Sequence, residues 1–511
     1  MVSTIRLKFL TKNITILFFI SASILSIIRL LAPLKLTSDP SIQIGAALSL
    51  LNGEGLNNYV SNSDLSQGVR LFPLLGHAPS FSLLVFWLLK LGFSLEIGLK
   101  LVYTIVTLVA WLGWGLVFAR IIYLINSLSF ISSILAVILA VFLPLYFTFD
   151  WCGTDIFLFC GMPFIIYFYD LSSRSKDSEF RWKNYYLIGA LVGLIYSLRY
   201  AAAFLLIGLF LVTLKKNKKI IKTAAIFLGF LTFFIPMLVY NLNATNKIGG
   251  NSLSFGDNSL SFIKIVNNLA DTKFLDGQIE SIISGLNKIT YLFFSHLSNL
   301  LPDWVSWLTL LYFVGLIIWV LILFRYRHRW ELNETQIQLL TLIKNIVLIN
   351  VALIIFLIFT TLTSSTNFSF YNEIRYYYPL FPSMLFVVYA VFNYPLSRLG
   401  KINYKIYPQI LKMTSGIFLG FFLAYSLTLF QSQPYKVFGF HYFNTATDLK
   451  EYPSNLILTR HPDSYQQLIK ILEKDPKSIA ISWAEDFDFA HTLNTNLRKR
   501  ILSGPQNKQR N

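Results

Sequence analysis

The apolar positions of this chain fall into long runs separated by short polar stretches, many of them basic. Ile14–Leu31, Ile97–Ala119, Ser129–Phe149, Ile156–Tyr169, Ile220–Tyr240, Trp304–Phe324, Leu340–Leu362, Leu380–Tyr394 and Ile410–Phe430 each read as one membrane span. About 20 apolar helical residues cross a bilayer core. Tyr185–Leu214 is longer and is interrupted by Arg199 and Tyr200. One helix there would bury Arg199 near the bilayer centre, which is costly. Two short helices meeting at Arg199 lift it toward one face, so the pattern predicts two. Pro79–Leu91 is too short to span and predicts a helix lying in the outer interface or partly re-entrant.

Composition fixes the class. The chain has 511 residues, 55% of them hydrophobic and 13% charged, against about 25% charged in soluble domains. The formal charge of +18 sits in clusters between the apolar runs. Such clusters encode topology under the positive-inside rule, and they give no reason to invoke nucleic acid. Arg6, Lys8 and Lys12 place the N-terminus in the cytoplasm. If Pro79–Leu91 does not cross, Arg120 and the clusters at 174–183, 215–219, 325–329 and 398–405 all fall inside. Asp39, Asp150, Asp155 and the tail then fall outside. The expectation is an all-α polytopic membrane protein of about eleven transmembrane helices plus outer interfacial helices. This domain covers 1–430, with external loops at 33–96 and 241–303. A small external α/β appendage covers 431–511, with a strand over Asn455–Thr459, a helix over Asp463–Glu473 and a strand over Ser478–Ser482. The expected membrane is a cell (inner or plasma) membrane, with the tail external.

The candidate chemistry gathers on the outer side. Asp39 follows the first span and precedes a helix pattern over Ser41–Leu51 that stops at Asn52-Gly53-Glu54-Gly55. With Pro40 behind it, Asp39 reads as a helix N-cap. A carboxylate so aimed can also take a proton from an attacking hydroxyl. Asp155 stands at the lip of a span, where an idle acid is rare, whereas Asp150 reads as a solvated loop acid. Arg199 and Arg375 are candidate phosphate partners, since guanidinium forks match phosphate oxygens. Their plainer readings are a snorkelling side chain for Arg199 and an aromatic-belt residue for Arg375. His77 is a weaker candidate of the same kind. Cys152 and Cys160 suggest neither a disulfide framework nor a metal site, and the spacing around His77 fits no metal motif.

Taken together, these residues resemble a known class. An acid after the first outward helix (Asp39) is followed by Ala46-Ala47 and by Leu50-Leu51-Asn52-Gly53-Glu54-Gly55. His77-Ala78-Pro79 opens the interfacial helix, and Asp155 precedes a crossing. Gly189, Gly193 and Arg199 follow, then Arg375, Tyr376, Pro379 and Pro382. This arrangement resembles the GT-C integral-membrane glycosyltransferases. That class includes protein mannosyltransferases, the lipid A aminoarabinose transferase and lipopolysaccharide galacturonosyltransferases. Departures are Pro40 where many members have a second acid, Gln43 where many have an aromatic, and Ala78 in place of a proline. The resemblance implies transfer of a sugar from a polyprenyl-phosphate-linked donor to a lipid, glycan or protein acceptor at the external face. It gives Asp39 the role of base and Asp155 that of a second acid lining the site. It leaves the need for a divalent metal open. The runner-up is a transporter or flippase of a lipid-linked saccharide. Against it stand the one-sided placement of the acids and the lack of a visible inverted repeat.

Overall fold

A computed structural model of the protein describes residues 34–35, 38–61, 69–74, 77–125, 153–174, 178–213, 219–245 and 334–363. It also describes short strand pieces at 456–457, 480–482 and 501–503, and isolated positions at 20, 23, 26, 27, 30, 379, 382, 383, 386, 387, 390 and 474. Its helices are α1 (Ser38–Leu51), α2 (Ser80–Lys90), α3 (Leu95–Ile125), α4 (Asp155–Arg174), α5 (Ser178–Leu198), α6 (Ala203–Thr213), α7 (Lys219–Thr245) and α8 (Glu334–Thr363). Among the described residues, α3, α4, α7 and α8 are long and apolar enough to cross a membrane. The protein is therefore helical, multi-pass and membrane-embedded. The spans expected at 14–31, 129–149, 304–324, 380–394 and 410–430 lie wholly or mostly outside the described residues, as does the expected helix Asp463–Glu473.

The long run at 185–214 is two helices, as the position of Arg199 requires. The chain leaves α5 at Arg199 in an extended conformation (φ −150°, ψ 113°), makes a single 3-10 turn over Tyr200–Ala202, and enters α6. Helix α7 then lies against α5 in parallel, with their backbones in contact. A Cβ on Gly189 would fall 1.9 Å from the Ile226 carbonyl oxygen, one on Gly193 2.6 Å from that of Phe230, and one on Gly229 2.0 Å from that of Tyr186. This is the close approach that small residues four apart permit between membrane helices. Because α5 and α7 are parallel, the α6 segment that connects them in the chain runs in the opposite direction. Gly208 of α6 lies against Ile349 of α8.

Helices α3 and α4 also run in the same direction. Phe81 of α2 touches Tyr103 near the start of α3 and Phe157 near the start of α4, with ring centroids 6.3 and 5.9 Å away. Arg120 and Asp170 meet near the far ends of the same two helices. The main core lies between. Trp111 and Trp114 are fully buried against Phe159, and Phe118 stacks on Phe386 at 4.8 Å. A second, smaller core gathers Ile44, Ala47 and Leu48 of α1 with Phe81 and Val85 of α2, Tyr103, Ile156 and Phe157. It fastens α1 and α2 to the end of the bundle where α4 begins.

Helix α1 starts at Ser38, so Asp39 lies in its first turn rather than ahead of it as expected. Pro40 is tolerated there because the first four N–H groups of a helix have no intrahelical acceptor. The helix ends in a Schellman arrangement. Glu54 N–H donates to the Ser49 carbonyl at 2.9 Å and Gly53 N–H to that of Leu50 at 3.1 Å. Gly53 takes φ +79°, which an L side chain would oppose. Helix α2 occupies the stretch expected to lie in the interface. It buries Phe81, Ser82 and Val85 and exposes Leu83 and Trp87. The Lys90 ammonium sits 5.2 Å from the centroid of Trp87. An apolar face edged by a tryptophan–lysine pair suits the membrane–water boundary.

Two small sheets lie at the same end. In one, β1 (Leu34–Lys35) pairs in parallel with β4 (Leu456–Ile457). In the other, the order is β3-β2-β6-β5. The hairpin β2 (Asn57–Ser61) and β3 (Val69–Pro73) is antiparallel. It is extended by β6 (Ile501–Ser503) and β5 (Ala480–Ser482), both running parallel to β2. Short strands thus occur within the stretches expected at 455–459 and 478–482: β4 pairs with β1, while β5 pairs with β6 and reaches β2 only through it.

Candidate functional site

Asp155 is the first residue of α4 and is only 3% exposed. A carboxylate at a helix N-terminus is favoured by the helix dipole. Opposite it stands Arg199, where the chain has just left α5. The Arg199 backbone still closes the helix, its N–H donating to the Ile195 carbonyl at 2.8 Å. The extended backbone at Arg199 turns the following chain out of the helix, and the side chain reaches the start of α4. Arg199 Nε lies 2.9 Å from Asp155 Oδ1. Its Nη1 reaches Thr154 Oγ1 at 3.5 Å, the long limit of a hydrogen bond. The contact with Asp155 is short but not aligned as a hydrogen bond, and neither carboxylate oxygen has a hydrogen-bond partner among the described residues. The pair is thus held together by charge at close range with directional capacity to spare.

Two further side-chain contacts fasten α1 and the hairpin at this end of the bundle. Gln43, one turn after Asp39, is 1% exposed and donates Nε2–H to the Ala78 carbonyl at 3.0 Å. That carbonyl belongs to the residue between His77 and Pro79, so the bond ties α1 to the start of α2. The Gln43 Oε1 has no partner among the described residues. Tyr240, near the end of α7, places its hydroxyl 3.1 Å from the Leu56 carbonyl and 3.2 Å from that of Leu74. Leu74 N–H itself donates to Leu56 at 2.9 Å. Tyr240 therefore pins the root of the hairpin to the spanning bundle.

No family model, curated protein or solved structure matches this chain.

The predicted site residues divide accordingly. Asp155 and Arg199 are in direct contact. Asp39 stands in the first turn of α1, whose later residues Ile44 and Leu48 share an apolar cluster with Ile156 and Phe157 beside Asp155. His77 is half-buried next to the Gln43–Ala78 bond. Arg375 and Asp150 lie outside the described residues. Among the described residues there is no group of three or more His, Cys, Asp or Glu side chains placed to hold a metal. The signal for Gln43 was present in the sequence, as a lone amide in the run Ile42–Leu48 of apolar and small residues. Tyr240 is one aromatic among many and carries no such mark.

The opposite end of α4 carries a second charged group. Asp170, with its side chain 1% exposed, faces Arg120 Nε at 3.2 Å and also pairs with Arg174. Gln338 of α8 accepts from both arginines and donates to Glu334 at 3.3 Å. This joins α3, α4 and α8.

Proposed function

We propose that the protein is a membrane glycosyltransferase that moves a sugar from a polyprenyl-phosphate donor to an acceptor at the external face of a cell membrane. The observation that carries this reading is the Asp155–Arg199 pair, built at the end of the bundle to which the helix of Asp39 is fastened. A lipid-linked donor is amphiphilic. Its isoprenoid tail needs apolar helix faces, and its phosphosugar needs cations at the boundary. Arg199 supplies one such cation, and Arg375, at a position the family resemblance singles out, supplies another.

In this mechanism the Asp39 carboxylate takes the proton of the acceptor hydroxyl as its oxygen bonds to the anomeric carbon. The bond from that carbon to the phosphate oxygen breaks, and the electron pair leaves on the polyprenyl phosphate. A single displacement of this kind inverts the anomeric centre. Charge developing on the leaving phosphate meets the Arg199 guanidinium, the type of preorganised partner that lowers such barriers most. Asp155 contributes by holding and aiming Arg199, and His77 is a further phosphate contact from the start of α2. The sign pattern of the basic clusters puts this end outside and the Arg120 end in the cytoplasm.

The test is transfer of labelled sugar from a polyprenyl phosphate by the purified protein in detergent. The Asp39→Asn variant should keep its fold and lose about 10²- to 10⁴-fold in turnover, the range of a general base. Near-wild-type turnover would remove Asp39 from that role. Labelled lipid crossing vesicles without any change in the sugar linkage would favour a flippase instead.

A further inference from the structure

The two sheets hold an arrangement that neither the spans nor the charge pattern suggested. Strand β4 of the tail pairs with β1, in the register Leu34↔Leu456 and Lys35↔Ile457. Lys35 stands four positions before Asp39. Strand β6 of the tail pairs with β2, at Val60↔Ser503, and β2 begins just after the Gly55 turn that follows α1. One segment, the tail, therefore grips the chain on both sides of the helix that carries Asp39.

We propose that the C-terminal tail is an intramolecular clasp that fixes α1, and through it Asp39, against the bundle. Three physical points lead there. An isolated two-stranded hairpin is marginal in water, so β2 and β3 depend on the strands that β6 and β5 add. The β1–β4 contact is two residues long and weak alone. Because one tail carries both grips, closing the first raises the local concentration for the second. The bundle secures α1 at its inner face through Gln43 and the small apolar core, and the clasp secures its two ends. Opening the clasp would leave α1 free to shift, and a shift of about 1 Å in a reacting group costs on the order of 100-fold in rate.

The test uses the full chain in detergent, with Cys152→Ser and Cys160→Ala removing the native thiols. Two added pairs, Lys35→Cys with Ile457→Cys and Val60→Cys with Ser503→Cys, join residues in register. Strand neighbours sit about 4.8 Å apart, within disulfide range. Both pairs should cross-link under mild oxidation. Failure of both, with all four thiols still open to maleimide, would overturn the clasp. Ser503→Pro should open it, raising hydrogen exchange across α1 by about tenfold or more. The Lys35–Ile457 disulfide should return that exchange toward the parent rate. Unchanged exchange over 38–51 in Ser503→Pro would also overturn the proposal. This exchange arm stands without any enzymatic activity. The effect on turnover alone rests on the glycosyltransfer reading. There, Ser503→Pro should lower kcat about tenfold or more with the donor KM little changed, and the disulfide should restore it.

Discussion

The two ends of helix α4 make a natural comparison. Asp155 opens the helix and Asp170 lies about 22 Å further along it. Each is a buried aspartate facing arginine. At the Asp170 end the group is saturated: two guanidiniums meet one carboxylate, and Gln338 accepts from both of them. At the Asp155 end one arginine meets one carboxylate at 2.9 Å in poor alignment, and acceptor capacity is left over. A saturated cluster locks helices together, whereas an unsaturated one can take up a ligand. The difference separates a structural ion pair from a candidate site without reference to either residue's place in the sequence.

The largest expected effect is at the saturated end. Asp170→Asn removes the charge that Arg120 and Arg174 share, leaving two mostly buried guanidiniums repelling each other. Breaking a buried pair in this way costs about 3–5 kcal/mol. The variant should show a clear fall in thermal midpoint by fluorescence-detected size exclusion, or no folded yield. If Asp170→Asn folds as well as the parent, the locking role fails and the two ends are not different in kind.

Asp155→Asn should behave in the opposite sense. Arg199 loses the charge 2.9 Å away, but Thr154 Oγ1 stays within reach of its Nη1 and the asparagine keeps an acceptor oxygen. One buried guanidinium loses one charge, where Asp170→Asn strands two, so the stability loss should be the smaller, about 1–3 kcal/mol, while transfer should fall about 10- to 100-fold, as for loss of an aimed electrostatic group. A variant that loses folding in step with transfer would put Asp155 in the same class as Asp170.

Much of this contrast was legible in the sequence, for identifiable reasons. Arg199 interrupts an apolar run of about 30 residues, and the cost of a charge at the bilayer centre forces the helix break that the structure shows. The acid at Asp155 stood out because a span follows it directly. The run at Pro79–Leu91 is too short to span, which left an interfacial or partly re-entrant helix, and α2 has the exposed apolar face that an interface needs. Asp170 was passed over, because an acid beside a basic cluster at a span's end looks like ordinary topology charge. Its role depends on Arg120 and Gln338, which lie 50 and more positions away and have no periodic relation to it. The sheet was half visible. Strand pattern located β4 and β5, but the pairing of β4 with β1 and of β6 with β2 joins residues more than 400 positions apart. No local signal encodes partners at that separation.

The smallest expected effect sharpens the comparison most, because it sets two glutamines against each other. Gln338 at the saturated end uses both halves of its amide, accepting from two arginines and donating to Glu334. Gln338→Leu leaves guanidinium donors unpaired and should cost about 1–3 kcal/mol. Gln43 at the other end uses only one half. Gln43→Leu forfeits the bond to Ala78, worth about 1 kcal/mol, and leaves that carbonyl unpaired. It also removes a buried oxygen that had no partner among the described residues. These terms oppose one another, so the net change in stability should lie within about 1 kcal/mol of zero. The change should appear in kcat, because the bond that sets α1 against His77-Ala78-Pro79 is gone. Gln43→Glu keeps the shape and an acceptor but loses the donor, and it should share the kcat loss. If Gln43→Leu melts as early as Gln338→Leu while turning over at the parent rate, Gln43 is a structural glue like its counterpart and the Asp155 end has no spare polar capacity of its own.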